Sequence, residues 1–347
     1  MKAAHFYTGS DIRVEEVPDP APGPGEVLVR VKSAGICGSD LHTYRRGVLR
    51  FPERAPLILG HELAGEVAGL GSGVTDLRIG QRVGVEPLIG CGRCPHCRMG
   101  DYHRCAGLNH IGNYYPGGFA QLALAPRGKV FPLPDHIDMD AAGMLDVYAC
   151  GIHAIHRIPV GPLDTVLVIG GGAIGLAAAQ VYKAAGARRV YVLATHEPQV
   201  KAARAGGADA VINPRQQDPV EAIMALTEGT GVDITIEAVG GQSDSLEIAL
   251  QTTARGGTVG VLGSFPEAIP LTVNNGLRRE LNLLWIYSYA LWKGVPEFQI
   301  ALDMLAENRV DAKPIISHVF PLDDIVAGFQ AALHKEQSGA VKVMIHP

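Results

Sequence analysis

The chain has 347 residues, 47% of them hydrophobic and 19% charged, with 43 glycines and 23 prolines. With 30 Lys+Arg against 35 Asp+Glu, a net charge of −5, it lacks the basic stripe by which nucleic-acid readers hold phosphates. The longest apolar stretch, TVLVIGGGAIGLAAAQV, is short for a bilayer span and broken by three consecutive glycines, so a membrane-spanning role is excluded as well.

The opening segment, MKAAHFYTGSDIRVEEV, has neither the apolar region nor the small-residue cleavage site of a secretory signal, and a reducing, cytoplasmic location is expected. A Pro/Gly-rich turn, PDPAPGPGE, follows. Residues 35–47 read GICGSDLHTYRRG and residues 59–67 read LGHELAGEV. Cys37 and His61 are a soft thiolate and a borderline imidazole, a pair suited to a catalytic zinc that keeps one position open for water or substrate. A lone Cys or His is more often core packing. Here Ser39 and His42 stand within a turn of Cys37, where a hydroxyl and an imidazole can carry a proton toward solvent.

Four of the six cysteines fall in CGRCPHCRMGDYHRC, residues 91–105. Disulfides and a metal are the two chemistries that gather thiols so closely, and without an oxidising destination the metal is favoured. The spacing C-x2-C-x2-C-x7-C lets two short turns present neighbouring sulfurs to one point while a longer loop returns the fourth. Cys91, Cys94, Cys97 and Cys105 are therefore read as a closed, structural zinc site. His96 and His103 lie inside the loop as alternative ligands, and with four thiolates present they are expected to be exposed polar residues.

Residues 166–169 read as a buried parallel strand, and Gly170, Gly172 and Gly175 complete G-x-G-x-x-G before a helix beginning LAAAQVYKAAG. The glycines permit a tight turn, a close approach of backbone to a pyrophosphate and the packing of helix on strand. Ala173 and Ile174 share that cradle at the helix N-terminus. Strand-like runs recur at RRVYVLA, ADAVIN, VDITIEAVG, GGTVGVLG and LNLLWIY, with helical segments between most of them, predicting a doubly wound nucleotide domain over residues 151–290. NAD enzymes place an acid at the end of the second strand, about twenty residues past the glycines. Here Ala194 stands there, followed by Thr195 and His196. The missing carboxylate and the added donors favour NADP(H). Glu197 serving NAD from a shifted register is the competing reading, and Lys201 adds positive charge nearby.

These motifs together resemble the zinc-containing medium-chain alcohol/polyol dehydrogenases, over essentially the whole chain. The resemblance implies an α/β fold: a GroES-like, mainly β catalytic domain over 1–150, a Rossmann domain over 151–290, and a segment 291–347 returning to the catalytic domain, with the cleft between. It implies two zinc ions per chain, one held by Cys37, His61 and Asp146, the other by the cysteine lobe. Ser39 and His42 would form the proton relay, Glu62 an acid that approaches the metal, and Asp40 the group that orients a ligand histidine. Val239, Gly240, Val261, Leu262 and Gly263 resemble segments lining the cofactor, and Lys342 is placed to reach the pyrophosphate. Hydride would pass between a carbinol carbon and the nicotinamide, with zinc as Lewis acid. The strand in LNLLWIYSYA is an edge that relatives pair, implying a homodimer or homotetramer.

The chain departs from the family at Asp146-Val147, where relatives have Glu-Pro or Cys, and Cys150 is a rival ligand whose spacing marks it as a packing thiol. A secondary alcohol or polyol is the expected small-molecule substrate. Tyr44, Phe51, Tyr148, Phe265 and Trp285 are candidate pocket aromatics or equally core residues, while Arg45 and Arg46 either read a substrate phosphate or form a solvated face. NAD-dependent L-threonine or sugar-alcohol-phosphate dehydrogenase is the alternative activity. A nonenzymatic NADPH-binding zinc protein is the alternative of another class.

Overall fold

Alternation of side chains along the strand Glu26–Gly35 organises the first part of the molecule. Val27, Val29 and Val31 turn inward while Arg30 and Lys32 face solvent, the period-two pattern of a sheet with one wet face. In this computed structural model, which describes residues 1–49, 53 and 55–347, the strand pairs antiparallel with Glu62–Leu70, Leu122–Pro126 and Lys342–His346. Phe51 lies outside the described residues. Among those described, the seven-stranded sheet runs Val130–Pro132, Arg82–Val85, Glu62–Leu70, Glu26–Gly35, Lys342–His346 and Ile316–Pro321, with Leu122–Pro126 also on the central strand. A smaller sheet of Ile12–Glu16, Lys2–Phe6 and Leu57–Ile58 adjoins its core, in which Phe6, Phe119 and Phe329 are fully buried.

The second part is built from strands apolar on both faces, as TVLVI at Thr165–Ile169 shows, and such strands belong inside a parallel sheet. Six parallel strands stand in the order Ala210–Ile212, Arg189–Leu193, Thr165–Ile169, Val232–Glu237, Thr253–Val261 and Asn282–Trp285. The order reverses between Thr165–Ile169 and Val232–Glu237, and a ligand crevice in a doubly wound sheet lies outside the carboxyl ends of the strands at that reversal. No helix among the described residues is long and apolar enough to cross a membrane.

The chain divides into one unit of Met1–Asp146, Ala290–Glu307 and Ile316–Pro347, and a second of Val147–Tyr289 with Asn308–Ile315. The segment after residue 290 is thus split. Asn308–Ile315 returns to the nucleotide unit, where the Gln180 side chain donates to the Asp311 carbonyl at 2.9 Å and accepts from its N–H at 2.8 Å.

The turn out of Thr165–Ile169 tolerates no side chain at two points. Gly170 has φ +119°, and a Cβ on Gly175 would lie 2.0 Å from the Gly170 carbonyl oxygen. Gly175→Ala forces backbone to move, and a loss of about 2 kcal/mol is expected in urea unfolding, with Gly172→Ala, where nothing lies within 4 Å of the added carbon, costing far less.

Candidate active site and metal centres

The sheet register assembles the first centre. Gly35 pairs with Glu62, so Cys37, two residues beyond one strand, arrives beside His61, which immediately precedes the other. Cys37 caps the helix Gly38–Arg46, and its N–H donates to Asp40 Oδ2 at 3.0 Å. One donor atom from each of Cys37, His61 and Glu62 lies within 4.8 Å of the others, and His61 and Glu62 are 3% and 2% exposed. His61 Nδ1 is buried without a hydrogen-bond partner, and the Asp40 carboxylate stands 3.7 Å away. Burial alone would depress the imidazole. Asp40, Cys37 and Asp146 outweigh it and hold His61 well above its ordinary pKa, while burial pushes Asp40 up despite His61. A thiol, an imidazole and a carboxylate converging in a buried place form a donor set that fits zinc.

Asp146 and Lys342 both act on this centre. Asp146 adds negative potential at His61 but stands outside the close donor group, in which Glu62 takes the third place. Its short side chain starts from the first turn of the helix Leu145–Arg157. Lys342, expected at a pyrophosphate, is 3% exposed and ion-paired to Glu62, and its ammonium also donates to the Ile36 carbonyl at 3.0 Å. Burial works against its charge, and Glu62 with Cys37 raises its pKa nonetheless.

Ser39 and His42 follow on the same helix, both exposed; three residues apart, they share a face. Partial desolvation, then Arg45 and Arg46, lower the His42 pKa, which keeps the imidazole neutral and able to accept a proton. Two residues that the sequence did not mark also stand here. Lys335 feels both Lys342 and Arg45, and burial followed by those charges lowers its pKa. The His110 ring lies edge-on to His61, centroids 4.7 Å apart. Neither falls in a recognisable spacing, and only the fold brings them in.

The cysteine lobe is a second centre. Sγ atoms of Cys91, Cys94, Cys97 and Cys105 all lie within 4.8 Å of one another, with Cys91 and Cys97 4.0 Å apart. Four thiolates around zinc at about 2.3 Å sit about 3.8 Å from each other, so the lobe already has the necessary shape. Backbone N–H groups of Cys94 and Cys97 donate to Cys91 Sγ and Cys94 Sγ at 3.4 and 3.5 Å. The N–H groups of Arg93 and Cys94 hold the Cys91 thiol down to about 6, while burial pushes Cys97 up to about 12. His96 is exposed as expected. His103 is not: at 4% exposure it packs inside the turn Tyr102–Arg104.

In the nucleotide unit, Gly172 precedes the helix Ala173–Ala184 and offers no side-chain cap to its first N–H groups, which leaves them for an anion. Open space in front of Gly172 and the tight Gly170–Gly175 packing fit a pyrophosphate. Ala194 is 2% exposed beyond the strand Arg189–Leu193. The N–H groups of Thr195 and His196 both donate to Gln199 Oε1 at 3.2 Å, and Glu197 opens the following helix, exposed. Glu237 Oε1 accepts from the N–H groups of Val239 and Gly240 at 2.7 and 2.8 Å, shaping the turn at the next strand end, while the N–H groups of Leu262 and Gly263 donate to the Glu237 carbonyl at 2.8 and 3.2 Å. Val261 is buried at the end of its strand. Of the aromatics, Tyr44 packs against Phe6 and Phe329, Tyr148 is fully buried on Gln180, and Phe265 packs on the core of the nucleotide unit. Trp285 is 63% exposed. Cys150 is half-buried, and no disulfide forms among the described residues.

Comparison with known proteins matches this arrangement. Residues 23–135 match the model of the alcohol dehydrogenase GroES-like domain, and residues 173–307 that of the zinc-binding dehydrogenases. The sorbitol dehydrogenase of Bacillus subtilis strain 168 is 34% identical over 350 residues, covering 100% of this chain and 97% of its own. The chain belongs to the zinc-containing medium-chain alcohol dehydrogenase family. It is accordingly an oxidoreductase acting on CH–OH groups with zinc and a nicotinamide coenzyme. Among solved structures, a zinc-binding dehydrogenase from Sinorhizobium meliloti 1021 bound to NADP has a TM-score of 0.89 and 32% identity, covering 100% of this chain and 99% of that one. Galactitol-1-phosphate dehydrogenase from Escherichia coli has a TM-score of 0.90 and 28% identity, covering 100% of both.

In this dehydrogenase the pair between Lys342 and Glu62 is a structural joint as well as part of the site. Lys342→Met strands a buried carboxylate, and a loss of about 3 kcal/mol or more in denaturant unfolding is expected. Adding Glu62→Gln to that variant should restore much of the loss, since a neutral amide needs no counter-ion.

Proposed function

We propose that the chain oxidises a secondary alcohol or polyol, or reduces the matching ketone, with NADP(H) as the preferred coenzyme. The observation that carries the reading is the buried convergence of Cys37, His61 and Glu62, directly followed by Ser39 and His42 on one helix face. In this reading Cys37, His61 and a carboxylate, Asp146 or Glu62, hold the reacting zinc, and Cys91, Cys94, Cys97 and Cys105 hold a structural one. When bound, the reacting zinc supplies a Lewis acid that makes the substrate hydroxyl easier to ionise, and the nicotinamide supplies the hydride acceptor.

The chain's own residues do the rest. Asp40 steadies His61 from 3.7 Å. Ser39 takes the proton of the substrate hydroxyl, and His42, whose pKa partial desolvation and the neighbouring arginines lower, passes it to water. Gly170, Gly172, Ala173, Ile174 and Gly175 cradle the pyrophosphate, and Val239, Val261, Leu262 and Gly263 line the coenzyme at the strand ends. Ala194 leaves no carboxylate to repel a 2′-phosphate, and Thr195 and His196 supply donors for it. The relative solved with NADP supports this choice, as the B. subtilis sorbitol dehydrogenase supports a polyol substrate. Exposed Trp285 and Tyr287, at 63% and 61%, on and just past the outer strand of the parallel sheet support a homo-oligomer.

One observation favours a second reading. Arg45, Arg46 and Lys335 have no ion-pair partner among the described residues, and Arg45 and Lys335 lie close enough to influence one another, a cationic setting suited to a sugar-alcohol phosphate. The E. coli relative acting on galactitol-1-phosphate supports it.

Two measurements test these readings. Metal analysis is expected to give two zinc ions per chain, falling to one in Cys37→Ala with little change in thermal midpoint and to one in Cys91→Ser with a clear drop; a single zinc in the unaltered chain removes the two-centre assignment. Initial rates with NADP+ and NAD+, over polyols, secondary alcohols, sugar-alcohol phosphates and L-threonine, are expected to favour NADP+ on a polyol or secondary alcohol. Ala194→Asp should then shift the coenzyme ratio toward NAD+ by about tenfold or more. An NAD+ preference in the unaltered enzyme overturns the coenzyme assignment.

A further inference from the structure

Glu237 ends the strand Val232–Glu237 where the order of the parallel sheet reverses, level with Ile169 on one neighbouring strand and Val261 on the other. Its exposure is 0%. Oε1 accepts from the N–H groups of Val239 and Gly240 at 2.7 and 2.8 Å and from the Ser245 hydroxyl at 2.7 Å. Oε2 is buried as well, has no hydrogen-bond partner, and is turned on Gly263, where a Cβ would lie 2.3 Å from it. No ion pair reaches Glu237 among the described residues.

Three donors on one oxygen, with no acceptor bonded to the other, are the surroundings of an ionised carboxylate. A charge this deep is ordinarily matched by an opposite charge or a metal ion. Here only dipoles meet it, so its field extends into the crevice at the strand ends, where low dielectric lengthens its reach. A doubly wound sheet takes a dinucleotide in two halves, one mononucleotide on each side of the reversal. The glycine turn and the strand end at Ala194 belong to the adenosine side, which leaves the strand ends at Glu237 and Val261 to the nicotinamide side. That ring is cationic when oxidised and neutral when reduced.

We propose that Glu237 sets the balance between the redox states of the bound coenzyme: its charge favours the oxidised, cationic ring over the reduced one and so assists hydride donation to a carbonyl. The step is the hydride transfer of the family itself, in which a C–H bond of the reduced ring breaks, a C–H bond to the carbonyl carbon forms, and the ring becomes cationic as the carbonyl oxygen takes a proton. Glu237 acts through its charge and does not touch the substrate. The effect is the same for NADP and NAD, whose rings are identical, so it stands apart from the coenzyme preference proposed above.

The test measures Kd for the oxidised and for the reduced coenzyme separately, by isothermal titration of the zinc-loaded full-length enzyme without substrate. Glu237→Gln keeps the shape and an oxygen for the three donors and removes the charge. The oxidised form is expected to bind about tenfold more weakly to this variant and the reduced form within about threefold of its original Kd. Ser245→Ala removes one donor and leaves the charge, and it should move the two constants together. Should Glu237→Gln not fold, the shorter pair Glu237→Asp and Glu237→Asn, which differ in charge alone, gives the same comparison. Equal weakening of both forms in the Gln variant, or in Asn relative to Asp, makes Glu237 a scaffold for its two turns and overturns the proposal, as does no change in either. Binding of neither form by the unaltered enzyme overturns the nicotinamide chemistry and this proposal with it.

Discussion

The buried ion pair between Glu62 and Lys342 is the joint on which the catalytic unit depends. Glu62 opens the strand that follows His61, and Lys342 opens the last strand of the chain, so two segments 280 residues apart meet beneath the metal donors. Charges this deep are tolerated only in company. The pair therefore demands that the C-terminal strand return to the sheet before the site can be complete. Gly35 makes the approach possible: a Cβ there would lie 2.2 Å from Glu62 Oε2 and 2.8 Å from Lys342 Cε.

From that joint the site gains its electrostatic character. Lys342 balances Glu62, Asp40 faces His61, and the arginines of the Cys37 helix act on His42. His61, His42 and Lys342 each have charged neighbours that shift their pKa, an arrangement typical of sites where protons move. Glu62 stands in two relations at once, to Lys342 and to the donor group, and its availability to a metal is linked to how firmly the terminal strand is held.

The nucleotide unit is organised by steric rather than ionic means. At Gly170 and Gly175 backbone meets backbone, and the helix beginning at Ala173 is brought so close to the strand that its first N–H groups face the crevice. The paired N–H groups at Val239 and Gly240 on Glu237 fix a second turn at the same sheet edge. Much of this was legible in the sequence. The apolar run TVLVI, the glycine spacing and the recurrent strand patterns are local signals, and each strand they announced is present in the parallel sheet. The convergence of the four cysteines was legible for the same reason: side chains held on short turns carry their geometry in their spacing.

The amino-acid sequence by itself determined what short-range chemistry can encode: the cysteine cluster, the pairing of Cys37 with His61, the glycine-rich turn, the missing acid at Ala194 and the membership of the chain in its family. Tertiary structure alone decided what depends on pairing between distant segments. It paired Lys342 with Glu62, drew Glu62 into the close donor group, buried His103, returned Asn308–Ile315 to the nucleotide unit, and brought His110 and Lys335 to the site. None of these has a sequence signature, because each follows from strand register and from glycine positions where two backbones meet, and such contacts exist only once the sheet has closed.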